Sequence, residues 1–159
     1  MGRTQNEANM IKQLTLQNKS EIQHLFLKVF SSPPWNDKWD SQAQLDHYMH
    51  DLIDNPNALV FGYFLGDALV GISLGYVFHW WQGTDYFIKE FCIDNSLQSQ
   101  GIGTQFLSAI ENELKTRDIS AIWLMTERSV PAFEFYKRKG FFELEDSVVL
   151  AKNISSKEL

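Results

Sequence analysis

The sequence predicts an α+β fold, in which a mixed, mostly antiparallel sheet carries helices on both faces. Apolar residues before Pro56 recur at helical spacing, whereas those after Ala58 form the short runs that are typical of strands. Further along, a strand, a glycine loop, a helix and another strand follow one another, which is the order of a parallel crossover. The expected architecture is therefore an early helical part followed by a sheet with one crossover.

The length and composition indicate one globular domain. The chain has 159 residues, of which 44% are hydrophobic and 21% are charged, and these values are ordinary for a domain with a buried core. We expect this domain to cover residues 10–153, with a disordered polar tail at residues 1–9 and a second tail at residues 154–159. Residues 1–9 lack the apolar core of a signal peptide, and no apolar run approaches the ~20 residues of a membrane span. The composition predicts no membrane partner.

The charge and the cysteine usage narrow the expected partners. The net charge is −6 and the isoelectric point is near 5.1, which argues against a nucleic-acid partner and is compatible with a cationic small molecule. Cys92 is the single cysteine, which excludes an internal disulfide and a cysteine-based metal cluster. We therefore expect no metal and a reducing, cytoplasmic environment.

The first part of the chain predicts one strand and two helices. Residues 10–15 form a short strand, and Asn18 or Ser20 can cap the helix that follows. Residues 31–36 contain two prolines and end this helix, and Ser41 can cap the next one. The apolar stripes of the two helices are Ile22, Leu25, Phe26 and Phe30, and then Leu45, Tyr48, Met49, Leu52 and Ile53.

The second part predicts an antiparallel meander followed by the crossover. A hairpin joins residues 59–65 to residues 68–79 through the tight turn Gly66-Asp67. A connection at residues 80–85 then leads to a strand at residues 86–93. The later elements are a helix that ends near residues 115–118, a buried strand at 121–126, a helix at 130–139 that Gly140 ends, and final strands at 141–145 and 148–152.

A glycine loop between a strand and a helix is the strongest chemical signal. It reads Gln-Ser-Gln-Gly-Ile-Gly over residues 98–103. Gly101 and Gly103 allow a tight turn and a close approach of a ligand to the backbone. The following helix directs its unpaired N–H groups and the positive end of its dipole at the same space. We therefore expect a phosphate-bearing ligand, although the loop is neither a Walker loop nor the three-glycine dinucleotide fingerprint.

Three elements in a fixed order carry a family resemblance. Residues 98–103 fit the motif Gln/Arg-x-x-Gly-x-Gly/Ala, and the strand segment that begins at Glu90 fits Glu-hydrophobic-x-hydrophobic. Residues 131–141 fit Ala-x-x-hydrophobic-Tyr-x-x-x-Gly-Phe. In this combination, which covers residues 59–152, the chain resembles the GCN5-related N-acetyltransferase (GNAT) family. It departs from the family at Ser129, where relatives usually have an asparagine that contacts the coenzyme.

The resemblance implies the acyl-CoA N-acyltransferase fold, with acetyl-CoA as the acetyl donor. The pyrophosphate of the coenzyme would lie on the amides of residues 100–104. The strand at residues 90–93 would splay from the strand at 121–126, so that the pantetheine arm binds like an added strand. The expected coenzyme-binding residues are Phe91, Cys92, Ile93, Gln98, Ser99, Gln100, Gly101, Ile102, Gly103, Thr104, Ser129, Ala132 and Phe135.

The chemistry of acetyl transfer assigns further roles within this resemblance. Glu90 is the expected base, directly or through a water, although a solvated strand face would explain it equally well. Strand alternation puts Glu90 on the same face as Ile88 and Cys92. Tyr136 occupies the position where relatives place the acid that protonates the leaving thiolate; a core tyrosine is the alternative. A backbone N–H of Cys92 or Phe91 would meet the oxyanion, and Cys92 itself is expected to be a small apolar filler.

The loop between the first two helices supplies the expected acceptor site. Rings and carboxylates together suit a cation, and the expected substrate-binding residues are Trp35, Asp37, Trp39, Asp40 and Trp80. With Glu90, the Pro-Pro-Trp sequence of this loop is similar to the aminoglycoside 6'-N-acetyltransferase-like branch of the family. A small-molecule amine is thus the expected partner, and aminoglycosides are the lead.

Other functions stay open at the sequence level. A polyamine, or a protein or peptide amine, is also cationic and could be the acceptor. A non-catalytic sensor that binds acyl-CoA would keep the same motifs, and an interaction protein could use exposed Trp35 and Trp39. Alternatively, the loop aromatics only pack a lid. Members of the family often dimerise, so a homodimer is among the expected states.

Overall fold

The computed structural model describes residues 9–159, which form five strands and four α-helices. The strands are β1 (Asn9–Leu14), β2 (Ala58–Leu65), β3 (Ala68–Trp80), β4 (Gly83–Ile93) and β5 (Ile119–Leu124). The helices are α1 (Lys19–Phe30), α2 (Gln42–Ile53), α3 (Ile102–Thr116) and α4 (Pro131–Arg138). The expected tail at residues 1–9 lies outside the described residues except for Asn9, which begins β1.

The chain divides into two compact units, one up to Met125 and one from Thr126 to Leu159. The first unit holds all five strands with α1, α2 and α3, and the second holds α4. The expected single domain over residues 10–153 stays a prediction. None of the helices within residues 9–159 combines the length and the apolarity needed to cross a membrane.

The sheet has the order β1-β2-β3-β4-β5. The first four strands pair antiparallel with their neighbours, and β4 pairs parallel with β5 through the α3 crossover. Leu65 pairs with Ala68 across a two-residue turn, in which Gly66 has a φ of 59°, a value that glycine adopts without strain. The predicted mixed, mostly antiparallel sheet is confirmed.

Helices cover both faces of this sheet because both faces are apolar. One buried cluster joins α1 and α2 to the sheet and includes Phe26, Met49 and Leu74. A second cluster joins α3 to the opposite face and includes Tyr86 and Phe106. Burial of these side chains supplies the main driving force for docking the helices. Helices on both faces are therefore confirmed.

The starts of α1 and α2 differ in how they are capped. The Ser41 hydroxyl accepts a hydrogen bond from the Gln44 amide at 3.1 Å, as predicted for α2. Asn18 lies at the cap position of α1 but makes no side-chain cap bond to this helix. Its carboxamide instead accepts from the Thr15 amide at 3.0 Å and closes a short 3₁₀ turn before α1.

Three expectations for the strands were wrong. The β3–β4 connection is only the turn between Trp80 and Gly83, because both strands extend further than predicted. β5 is mostly exposed rather than buried, since within residues 9–159 it pairs only with β4 and is an edge strand. Residues 141–145 and 148–152 form no strand. Their apolar pattern finds no partner strand in the described chain, and Leu150 is 87% exposed.

A buried hydroxyl in β4 provides a test of the sheet. The Tyr86 hydroxyl lies 3.0 Å from the Ser73 hydroxyl and donates to the Leu59 carbonyl at 3.0 Å, so it joins three strands. We expect Tyr86→Phe to lower the free energy of unfolding by about 1–3 kcal/mol, because two buried polar groups lose their partner. Urea titration measures this value.

The matched control for Tyr86→Phe is Tyr76→Phe. Tyr76 is 39% exposed, and no hydrogen bond of its hydroxyl is found within residues 9–159, so its removal should change the free energy of unfolding by less than ~0.5 kcal/mol. Equal effects of the two substitutions would contradict a structural role for the Tyr86 hydroxyl.

Candidate active site

A β-bulge in β4 determines which way Glu90 faces. Leu74 pairs with Glu90 and Gly75 pairs with Ile88, so Lys89 is an extra residue in β4. A bulge of this kind reverses the alternation of faces along the strand. Ile88 accordingly packs in the α3 cluster, whereas Glu90 turns towards α2. The expected common face of Glu90 and Ile88 is therefore wrong, whereas Cys92 does share the face of Glu90, in the α1–α2 cluster.

Glycine at position 75 makes the bulge possible. A Cβ atom there would lie 2.2 Å from the carbonyl oxygen of Phe87 and 2.7 Å from the ring of Tyr86. Any other side chain would push the two strands apart at this point. The orientation of Glu90 is thus set by a neighbouring strand.

The two parallel strands separate directly beside Glu90. Their pairing runs from Thr84 with Ile119 to Ile88 with Leu124 and ends there. The segment of β4 after Ile88 keeps β3 on one edge and has no β5 partner on the other. This edge of β4 is the stretch along which the family resemblance puts an extended ligand. The gap expected from the family resemblance is present.

The glycine loop is fixed to β4 and to α1 before it reaches α3. The Lys28 ammonium lies 2.8 Å from both carboxylate oxygens of Asp94, and the Asp94 carboxylate accepts from the Ser96 amide at 2.9 Å. The Gln98 carboxamide donates to the Ile93 carbonyl at 3.2 Å. This hydrogen bond connects the start of the glycine loop to the end of β4.

The start of α3 fits an anionic group. Gly101 is its N-cap, with a φ of 79°, and the Gln105 amide donates the first helical bond to the Gly101 carbonyl at 3.1 Å. The amides of residues 102–104 precede this bond and point out of the helix end. Within residues 9–159, and apart from the residues on either side of Gly101, no atom lies within 4 Å of a Cβ built there. Ser99 also has a positive φ, of 65°. Open space in front of free amides is what a pyrophosphate requires.

Glu90 forms a partly buried pair with Tyr48 of α2. The Tyr48 hydroxyl donates a hydrogen bond to Oε1 of Glu90. Burial raises the pKa of Glu90, the bond from Tyr48 opposes this rise, and the charge of Asp37 adds to it. Burial and the carboxylate of Glu90 raise the pKa of Tyr48 far above its ordinary value. Tyr48 therefore stays a neutral donor.

Aromatic rings pack around Tyr48 and in the neighbouring core. Trp39 lies 5.3 Å from Tyr48 and 6.0 Å from Phe26, and Trp35 lies 5.6 Å from Phe30, as measured between ring centroids. Both tryptophans pack against the α1–α2 cluster and are half-buried. Within residues 9–159, the buried Nε1 of Trp39 has no hydrogen-bond partner. The loop rings thus contribute to the core, and Trp39 also packs against Tyr48, the hydrogen-bond partner of Glu90.

The structure gathers only part of the expected acceptor site. Asp37 is close enough for its charge to raise the pKa of both Tyr48 and Glu90. The Asp40 side chain is exposed, and its amide donates to Gln44 at 2.9 Å. Trp80 pairs with Gly83 at the far end of the hairpin. It lies six positions along β3 from Leu74, the partner of Glu90, which is roughly 20 Å in a strand.

Two other site predictions concern the thiol and the second unit. Burial raises the pKa of the Cys92 thiol, which keeps it neutral and fits the apolar filler that was expected. In the second unit, Ser129 precedes α4, which carries Ala132, Phe135 and Tyr136. The Tyr136 ring lies 5.4 Å from Phe135 and 5.3 Å from Phe141. The catalytic and coenzyme-binding roles of these residues stay predictions.

Tyr48 is the site residue for which the sequence predicts only a position in the apolar stripe of α2. Its position among Leu45, Met49 and Leu52 is explained by core packing alone. The available signal was the hydroxyl, since a buried tyrosine usually has a hydrogen-bond partner. Within residues 9–159, no group of three or more His, Cys, Asp and Glu side chains is arranged to hold a metal ion.

Solved structures with a similar fold include three acetyltransferases. An aminoglycoside acetyltransferase from an uncultured soil metagenomic sample, solved with sisomicin, is 20% identical, with 93% of this chain and 97% of that chain covered and a TM-score of 0.69. A ribosomal-protein-alanine N-acetyltransferase from Brucella melitensis biovar Abortus 2308 is 16% identical, with 92% and 100% covered and a TM-score of 0.71. AAC(6')-Iy, solved with a bisubstrate analogue of CoA, is 10% identical, with 93% and 99% covered and a TM-score of 0.69. These likenesses establish the fold.

A family model provides the sequence-level match. The model of the acetyltransferase (GNAT) family matches residues 20–141, which include Glu90 with its partner Tyr48, the end of the β4–β5 pairing and the glycine loop. The co-substrate of the family is acetyl-CoA, and the loop and gap fit its pyrophosphate and its amide arm. The chain therefore belongs to the GNAT acetyltransferase family and is an acetyl-CoA-dependent N-acetyltransferase.

Proposed function

We propose that this enzyme transfers the acetyl group of acetyl-CoA to a primary amine of a small cationic acceptor, by direct attack in a ternary complex. Aminoglycosides are the lead acceptor class. The observation that carries the proposal is the Glu90 carboxylate, which has Asp37 close by and lies where β4 loses its β5 partner.

The electrostatics of this region support a cationic acceptor. Burial raises the pKa of both Glu90 and Asp37, because each ionised carboxylate has lost part of its hydration. An ammonium group that arrives between them restores favourable interactions for both charges. The rings of Trp39 and Tyr48 next to the carboxylate add faces that attract cations.

Two neighbouring carboxylates also favour a particular kind of amine. An acceptor with several ammonium groups can contact Glu90 and Asp37 at once, whereas a peptide N-terminus brings a single charge. This difference favours an aminoglycoside or a polyamine over a protein substrate. An antibiotic-resistance role in the cytoplasm follows if the acceptor is an aminoglycoside, and a homodimer is part of the same proposal.

The proposed reaction includes two proton transfers, one from the amine and one to the leaving thiolate. Acetyl-CoA supplies the thioester carbonyl. Glu90, directly or through a water, takes the proton that the amine loses as the C–N bond forms and the C–S bond breaks. The Phe91 or Cys92 amide, in the part of β4 without a β5 partner, donates to the oxyanion. Tyr136 gives its hydroxyl proton to the leaving thiolate, a role that a phenol can fill as an O–H donor.

The proposed donor contacts include backbone groups of the glycine loop and of β4. The amides of residues 100–104 would hold the pyrophosphate, and the outer edge of residues 91–93 would hold the pantetheine arm. Ser129, Ala132 and Phe135 would line the rest of the coenzyme.

An acceptor panel tests the proposal. We expect CoA release from acetyl-CoA to rise at least ~10-fold above the rate without acceptor when an aminoglycoside is added, because only a bound amine can complete the transfer. The measurement is thiol detection with aminoglycosides, polyamines, amino acids and peptides in parallel. Mass spectrometry then identifies the acetylated product.

The panel also separates the alternatives. Release with peptides or polyamines alone would refute the aminoglycoside lead and leave the donor unchanged. No release with any acceptor, while acetyl-CoA still raises the Tm, would favour the non-catalytic sensor.

A further inference from the structure

The contact between Tyr48 and Glu90 joins α2 to β4 across 42 positions of sequence. Tyr48 has a fixed position, because its ring packs against Trp39 at 5.3 Å and Phe26 at 5.9 Å. The Ser41 cap fixes the start of the same helix. The hydroxyl is thus held in place by its surroundings, which is what orientation of a catalytic group requires.

The direction of this hydrogen bond is determined by the two groups. A phenol has one proton to donate, and an ionised carboxylate can only accept. Within residues 9–159, the Tyr48 hydroxyl is the hydrogen-bond partner found for the Glu90 carboxylate, and it contacts Oε1. Oε2 therefore remains the oxygen that can accept a proton from an amine.

The titratable groups near Glu90 act on its pKa in opposite directions. Asp37 comes from the α1–α2 loop, Asp51 lies on α2 near Tyr48, and Cys92 is on β4 with a neutral thiol. Lys89, also on β4, is the cation that acts on Glu90. Burial and the charge of Asp37 raise the pKa of Glu90, whereas the hydrogen bond from Tyr48 and the charge of Lys89 oppose this rise.

We propose that Tyr48 is a positioning residue for Glu90: its hydroxyl occupies Oε1, favours the ionised carboxylate, and leaves Oε2 to take the amine proton. This inference rests on the proposed function, because it needs Glu90 to act as the base. It adds a residue from α2, the helix that follows the acceptor loop. Trp39 of the acceptor loop packs against Tyr48, so Tyr48 connects the acceptor loop to the base.

The test is the pH profile of kcat/KM for the acceptor at saturating acetyl-CoA. Tyr48→Phe removes the donor and destabilises the ionised carboxylate, so the pKa of Glu90 rises and the base is protonated over a wider range. We expect the low-pH limb of the profile to move up by about one pH unit, since a hydrogen bond to a charged group has that strength. Above this limb, kcat/KM should return to within ~3-fold of the unchanged enzyme.

A second variant keeps the ring and the hydroxyl. 3-Fluorotyrosine at position 48 is a more acidic phenol and a stronger donor, so the same limb should move to lower pH. It retains the packing with Trp39 and Phe26, and therefore tests the inference even if Tyr48→Phe does not fold. The matched control is Tyr86→Phe, which also removes a buried hydroxyl but one that bonds Ser73 and Leu59. It should lower the Tm without moving the limb.

The outcomes distinguish this inference from the proposed function. Opposite shifts of the limb for the two Tyr48 variants support the positioning role. A loss that is equal at every pH, or limbs that do not move, would overturn it while Glu90→Gln is still inactive. If Glu90→Gln is fully active, both the base assignment and the positioning role are wrong.

Discussion

Glu90→Gln is expected to lower kcat/KM for the acceptor by about 10²–10⁴-fold at neutral pH, which is the usual contribution of a positioned base. Glutamine has nearly the same size and can still accept a hydrogen bond from Tyr48, so the packing around α2 is kept. It cannot take a proton from the amine, and the chemical step therefore slows. Initial rates of CoA release across acceptor concentrations measure kcat and KM separately.

Two controls limit the interpretation of this result. The Kd for CoA, measured by calorimetry, should be unchanged, because the glycine loop and the gap beside β5 do not depend on the charge of Glu90. Glu21→Gln removes an exposed glutamate of α1 and should leave kcat/KM within about 2-fold, as surface changes usually do. A Glu90→Gln enzyme with more than a third of the original kcat/KM would refute the role of base.

The elements of the fold were predictable where the signal is local. The Ser41 cap, the Gly66 turn and the apolar spacing of α3 each depend on a few consecutive residues, and each was identified from the sequence. The strands expected at residues 141–145 and 148–152 were predicted from an apolar pattern alone. A strand also needs a neighbouring strand with which it can form hydrogen bonds, and a local pattern does not show whether that neighbour exists.

The orientation of Glu90 was not predictable for a related reason. Alternation along β4 would have put Glu90 beside Ile88, but the bulge at Lys89 reverses the faces. The bulge depends on Gly75 in another strand, which alone leaves space for the Phe87 carbonyl. Only the pairing of β3 with β4 contains this information. The contact with Tyr48 then follows from that orientation.

The donor and acceptor parts of the site differ in what they are made of. The proposed donor part uses backbone amides at Gly101 and the segment of β4 beyond its pairing with β5, so it requires glycines and spacing that form a recognisable motif. The proposed acceptor part uses side chains from a loop, whose sequence can vary without disturbing the sheet. Proteins of this fold therefore include an aminoglycoside acetyltransferase and a ribosomal-protein-alanine N-acetyltransferase.

Gly101→Ala is expected to raise the Kd for acetyl-CoA by at least ~10-fold, and it tests the donor part directly. The φ of 79° costs an alanine about 1–2 kcal/mol in the free enzyme. Apart from its chain neighbours, a Cβ atom at this position meets no atom of residues 9–159 within 4 Å, so it projects into the space proposed for the pyrophosphate. It would shield the amides of residues 102–104 and keep the phosphates from close contact. Calorimetry with acetyl-CoA, and thermal unfolding of the free enzyme, give the two quantities.

Gly140→Ala separates the loss of affinity from the strain. Gly140 has a φ of 90°, and the part of the chain that the structure describes likewise has no atom within 4 Å of its Cβ position apart from its chain neighbours, so an alanine there carries a similar conformational cost. It ends α4 and lies outside the glycine loop. Both substitutions should lower the Tm by similar amounts, and only Gly101→Ala should weaken acetyl-CoA binding. An unchanged Kd for Gly101→Ala would mean that the pyrophosphate does not approach the start of α3, because the added methyl group would then occupy space that the ligand does not use.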